Sequence, residues 1–271
     1  MTALDRLANI NIKVTRAKLH LSLLTTEVKS YLDSQPYEVS VMLDLDKRPT
    51  YYISKIRPPQ PDMSAIVGEI IYNLRSSFDH LAYQLVLVGS AKTPSNRVYF
   101  PIADDELTYF KIRDSYLKEA SPLAIAKIDS LKPYKSGNEL LWMLHKLNNI
   151  DKHRTLITAG SAYRSLNLGA TFYNKERLEH LKKALPHGTN LSELPVLDLF
   201  IRPANRKFPL RQGDQLFTDE SNAEPNNKIQ FRFELVLGEE GVAYDKPLLD
   251  TLTSMVTLVE STLPRFERFL G

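Results

Sequence analysis

The chain has 271 residues, 43% of them hydrophobic and 25% charged, with a net charge of +3, the balance of a globular protein with a core rather than of a disordered chain. It contains no cysteine, which excludes disulfides, thiolate metal sites and cysteine nucleophiles. The N-terminus carries charge where a signal peptide needs an apolar run, and no apolar stretch reaches membrane-spanning length; the expectation is a cytoplasmic protein with no membrane contact.

Residues 2–33 repeat Leu4, Leu7, Ile10, Val14, Ala17, Leu21, Leu24 and Val28 at helical steps, which predicts a long amphipathic helix ended by Pro36. Residues 37–57 alternate as a β-hairpin whose turn lies in Asp44–Pro49. After Pro58, Pro59 and Pro61 a second long helix is expected over 62–89, with Asp62 and Ser64 as candidate caps and Gly89 as its stop. Shorter helices are expected near 105–119 and 121–131, the latter opened by Ser121 and Pro122.

A third long helix is predicted over 138–156. Strands follow at 166–173, 196–201 and 229–237, with a short helix near 175–185 and a polar loop over 218–227. A final amphipathic helix spans 246–269. The fold class is therefore α+β: a helical bundle of four long helices (2–33, 62–89, 138–156, 246–269) with an inserted β-hairpin and a small antiparallel sheet (37–57 and 157–237), read as a single domain, 1–271.

Two helices carry polar side chains suited to chemistry. On the second, the stripe Ile66, Ile70, Leu74, Phe78, Leu81, Leu85 and Val88 leaves Asn73, Ser76, Ser77, His80 and Gln84 on another face, while Arg75 and Asp79 are spaced to pair. On the third, Leu140, Met143, Leu144, Leu147 and Ile150 define the core stripe, His145, Asn149 and His153 recur every four residues, Lys152 lies beside them and Asn148 stands at the edge. If these helices are neighbours, His80, His145 and His153 share a cleft. The basic cluster Arg202, Arg206, Lys207 and Arg211 reads as a solvated loop.

Arg75, four intervening residues and His80 match the Arg-x(4–6)-His motif of the HEPN superfamily, and Tyr83 resembles the Tyr that often follows it. The paired segments 75–82 and 148–154 are also similar to a group of uncharacterised bacterial proteins. The resemblance implies a helical-bundle, metal-independent endoribonuclease of a toxin–antitoxin or phage-defence system, without cofactors, acting on RNA, forming a homodimer and partnered by an antitoxin. Arg75 would hold phosphate and His80 act as acid or base, with Asp79, Tyr83, His145, Asn149, Lys152 and His153 as auxiliary residues. On a straight helix residues five apart diverge by about 140°, so such a site would be shared across a dimer or need a distorted helix.

The alternative is a non-catalytic HEPN-like module that binds RNA, a nucleotide or a protein. A metal hydrolase ranks third, because histidines eight apart on one helix are about 12 Å distant along its axis and no His-x-x-x-His pair is present.

Overall fold

A computed structural model describes residues 1–90, 93–153, 159–167, 200–201, 208–219, 225 and 229–271. They form six α-helices and a 3-10 helix, with two small antiparallel sheets. The α+β class expected from the sequence is therefore present. The expected helix at 175–185, the strand residues 168–173 and most of the polar loop at 218–227 lie outside the described residues, as do Arg202, Arg206 and Lys207.

The helices are α1 (Ala3–Asp33), α2 (Pro61–Gly89), α3 (Glu106–Tyr116), α4 (Pro122–Asp129), α5 (Glu139–His153) and α6 (Leu248–Thr262), with the 3-10 segment Leu263–Phe269 completing the last expected helix. The strands are β1 (Tyr37–Leu43), β2 (Pro49–Ile56), β3 (Ala159–Asn167), β4 (Phe200–Ile201), β5 (Gln215–Thr218), β6 (Gln230–Leu237) and the two-residue β7 (Lys246–Pro247). Only α1 and α2 are long, at 31 and 29 residues, while α5 and α6 have 15 each. No helix among the described residues is long and apolar enough to cross a membrane.

The sequence reads as one domain, whereas backbone proximity divides the chain into two compact units. Unit 1 holds Met1–Ser30, Gln60–Ala159 and Leu237–Gly271, and unit 2 holds Tyr31–Pro59 and Gly160–Val236. The hairpin and the later strands are remote in sequence, but they find one another and bury their own apolar cluster.

In unit 2, β1 pairs antiparallel with β2 and β2 with β5, and in the other sheet β3 lies between β4 and β6. The hairpin turn closes because the Asp44 carboxylate accepts from the backbone N–H groups of Asp46 and Arg48, at 2.9 and 2.8 Å, an Asx arrangement that replaces lost ladder bonds. Tyr51, Ile53, Tyr163, Leu210 and Ile229 form the core. Strand β5 was not expected, since Gln215–Thr218 is too short to show a period.

In unit 1, α2 packs on α5 and α6. Its buried stripe runs through Met63, Val67, Ile70, Ile71, Leu74, Phe78, Leu81 and Leu85, one residue round from the expected Ile66 and Val88. Ser77, expected on the polar face, is fully buried and donates its hydroxyl to the Leu74 carbonyl at 2.7 Å, the local bond that lets a serine sit inside a helix. Gln60 rather than Asp62 or Ser64 is the cap of α2, without a side-chain bond, and Pro61 fills the first turn, where a missing N–H costs nothing. Asp105 caps α3 and Ser121 caps α4 through their side chains.

The end of α2 is seated closely. A Cβ on Gly89 would lie 2.3 Å from the Glu119 carbonyl oxygen and 3.1 Å from the Ala120 Cα, both backbone atoms with little freedom to give. Gly89→Ala is therefore expected to destabilise the protein by about 1–3 kcal/mol despite its better helix propensity, read as a lower thermal midpoint. An unchanged or raised midpoint would show that this seat is loose.

Candidate functional site

The centre of unit 1 is a buried cation. The inward stripe of α2 carries Arg75, only 5% exposed, and an arginine cannot shed its charge. Its guanidinium is met on three sides. Nη1–H donates to the Asp79 carboxylate at 2.6 Å, Nη2–H to the Phe100 carbonyl at 3.0 Å and Nε–H to Nδ1 of His145 at 3.2 Å. The same oxygen of Asp79 accepts from the Phe100 N–H at 2.9 Å. Four-residue spacing on α2 thus holds both backbone polar groups of one residue in the following loop.

Helix α5 supplies the facing side chains. His145, Asn148, Asn149, Lys152 and His153 line, with Arg75, Asp79 and the loop aromatics, a cavity of about 420 Å³, a size typical of small-molecule sites. Tyr99 and Tyr116 meet edge to face at its rim, centroids 5.6 Å apart, and Ile102 and Ile112 give it an apolar wall. A second recess of about 560 Å³ adjoins it, lined by Asp104, Trp142, Lys146 and residues 240–242, and shares Asn149 and His153 with the first.

Charge is arranged unevenly. Burial, and then the positive charges of Arg75 and Lys146, push His145 down to about 3, so its imidazole is neutral at physiological pH. Hydrogen bonds from Lys146 and the Trp142 indole hold Asp104 below the usual carboxylate range. Lys152 and His153 are exposed. The Lys152 ammonium stands 5.0 Å from the Tyr72 ring centroid.

Asn148 differs from its neighbours. It is 4% exposed, and its Oδ1 is buried with no hydrogen-bond partner among the described residues. Buried amide oxygens are nearly always satisfied, and leaving one unmet costs about 1–3 kcal/mol. Asn148 is one of the residues that line the cavity.

Six of the residues expected from the sequence therefore stand together: Arg75, Asp79, His145, Asn149, Lys152 and His153. His80 is exposed on α2 and Tyr83 is half-buried there, and neither lines the two recesses. Arg75 and His80 thus do not meet within one chain, as their angular separation on a helix implied. Among the described residues no group of three His, Asp or Glu stands close enough to hold a metal ion.

Tyr99 and Tyr116 did not emerge as site residues from the sequence, which places Asn148 only at the edge of the polar stripe of α5. For Asn148 a signal existed: Leu141, Leu144 and residue 148 follow three- and four-residue steps, so a polar side chain occupies a core position of α5. Comparison with protein-family models, with characterised proteins and with solved structures returned no match for this chain.

Asp79→Asn is expected to cost about 3 kcal/mol, toward the lower end for orphaning a buried charge because Asp79 is partly exposed. Chemical denaturation measures this, and a loss below half that figure would mean that the Phe100 carbonyl and His145 suffice for Arg75. His145 adds a pH signature. The unfolded chain takes up its proton near 6.5 and the folded chain only near 3, so this group's stabilisation is complete above 6.5 and is lost as pH falls between those values. His145→Gln should show a shallower decline in stability over that window than the wild type.

Proposed function

We propose that unit 1 is a binding module for a nucleotide-type ligand: a planar base with N–H and acceptor atoms on one edge, carrying an anionic phosphate. The observation that carries this reading is Asn148, a residue of the cavity lining whose buried Oδ1 has no partner among the described residues. Such an oxygen asks for an N–H from the ligand. A carboxamide offers an adjacent acceptor and donor, the pairing that asparagine uses against a base edge.

The surroundings support the same class. Tyr99 and Tyr116 offer ring surface at the rim for stacking, and Ile102 and Ile112 offer an apolar wall. Lys152 provides positive charge at the open side, and His153 stands beside it as a further polar group. The Arg75 guanidinium is held by Asp79, Phe100 and His145. It therefore acts as the frame of the site more readily than as a free phosphate clamp, which favours binding over the endoribonuclease expected from the Arg75 and His80 motif.

Calorimetric titration of the full chain with AMP, GMP, CMP, UMP and a short single-stranded RNA tests the reading, with saturable binding of at least one expected. Asn148→Leu separates a ligand group from a structural one. Removing an unsatisfied buried amide should raise the thermal midpoint, by about 1 kcal/mol in stability, while binding falls at least tenfold. A destabilised variant with intact binding would defeat the proposal. Metal-free RNA cleavage by wild type, lost in His80→Ala, would make the enzyme reading the better one.

A further inference from the structure

Unit 2 carries a recess of its own. Strand β1 is the terminal strand of its sheet, and Tyr37 and Val39 near its start border a trough of about 760 Å³ that β6 lines from the other sheet. The volume lies within the range of small-molecule sites. Leu32, Val39, Ile229, Phe231 and Phe233 give the trough an apolar lining, and the Tyr37 ring lies on Phe233 with centroids 4.2 Å apart. Every one of these residues belongs to unit 2.

Tyr37 is anchored by a chain of hydroxyls. Tyr31 donates its O–H to the Arg57 carbonyl at 2.7 Å. The Tyr31 oxygen is then free to accept from the Ser161 hydroxyl at 3.2 Å, while the Ser161 oxygen accepts from Tyr37 at 2.8 Å. The Tyr37 proton is thus committed to a buried serine, and the ring contributes apolar surface to the trough.

The charge on the trough has one sign. Among the described residues that line it, the charged ones are Arg164 and Arg232, with no carboxylate. Two acids stand close by. Glu38, next to Tyr37 in β1, pairs with Lys55 at 3.0 Å. Glu234 lies 3.7 Å from Nε of Arg164, beyond hydrogen-bond length. Arg164 is half exposed and donates no hydrogen bond to a described residue. Arg75 is the opposite case, with its Nε, Nη1 and Nη2 all engaged. The guanidinium available to clamp an anion is therefore in unit 2.

We propose that this trough binds a monoanionic carboxylate with an aliphatic body, of the fatty-acid type. The carboxylate meets the planar fork of Arg164, whose N–H groups match its two oxygens, and Arg232 adds positive charge. The aliphatic body lies along Leu32, Val39, Ile229 and Phe233. A cation is repelled by the arginines, and a bare inorganic anion leaves the apolar walls unused. A polynucleotide, with a charge at every residue, asks for more cations and less aliphatic surface than the lining offers.

Fluorescence titration of the full chain with 1-anilinonaphthalene-8-sulfonate, an apolar anion, tests this, with its neutral relative N-phenyl-1-naphthylamine as the uncharged arm. Saturable binding of the anion and its displacement by decanoate are expected. Arg164→Gln should weaken the anion about tenfold, the scale of one bond between charged groups, and leave the neutral dye within about twofold. Arg164→Lys, which keeps the charge and loses the fork, should fall between the two. Arg16→Gln removes an exposed charge elsewhere and should change nothing. Arg164 is itself exposed, so its variants should keep the wild-type thermal midpoint. The proposal is overturned by no binding of the anion, by no displacement with decanoate, or by an Arg164→Gln affinity equal to wild type. Equal losses for both dyes, or for Arg16→Gln and Arg164→Gln, also overturn it, the first marking a packing role and the second unspecific attraction. Displacement by a short single-stranded RNA in place of decanoate would assign the trough to nucleic acid instead.

Discussion

A guanidinium in a protein interior must have its charge and its N–H groups answered, and Arg75 sits in unit 1 under that obligation. The answers come from three directions: a carboxylate one turn along α2, the carbonyl of Phe100 and the ring of His145 on α5. Each partner is constrained in return. The loop cannot drift without stranding a charge, and α5 cannot rotate without removing His145. The cost of an unpaired buried charge, several kcal/mol, exceeds the contribution of any single apolar contact around it. The cavity owes its shape to this obligation more than to the close packing of its walls.

The same cation sets the electrical character of the site. Its proximity, added to burial, keeps His145 neutral, so the imidazole accepts from Arg75 without adding a second buried charge. Positive charge lies instead on Lys152 at the open side, where water can still reach it. Neutral groups on the inner side and a solvated cation on the outer side give the cavity an electrical gradient.

Periodicity in the sequence located the elements of unit 1 well, because α1, α2 and α5 are long enough for a 3.6-residue pattern to accumulate. It located the gathering of Arg75, Asp79, His145, Asn149, Lys152 and His153 for the same reason. Three things escaped it. The division into two units depends on which remote strands pair, and a four-residue strand such as β5 carries no period of its own. The contribution of Tyr99 comes from a loop placed by tertiary bonds to its neighbour Phe100, which no local pattern encodes. The separation of His80 from Arg75 follows from angles on the helix, so motif spacing and helix geometry pointed in different directions. The near miss at Asn148 has another cause: a polar residue in an apolar register reads as the edge of a stripe until burial is known.

Phe100 makes its polar contacts to α2 through its main chain, N–H to Asp79 and carbonyl to Arg75, while its ring lies on Phe78 with centroids 4.7 Å apart. A backbone anchor of this kind does not depend on which side chain precedes it. Evolution can lengthen, shorten or rewrite the segment between the end of α2 and residue 99 and still deliver the chain to the same point at the cavity rim. Tyr99 sits directly before the anchor and lines the cavity. The fold thus offers a cavity whose frame can stay constant while its rim is rewritten from a single short loop.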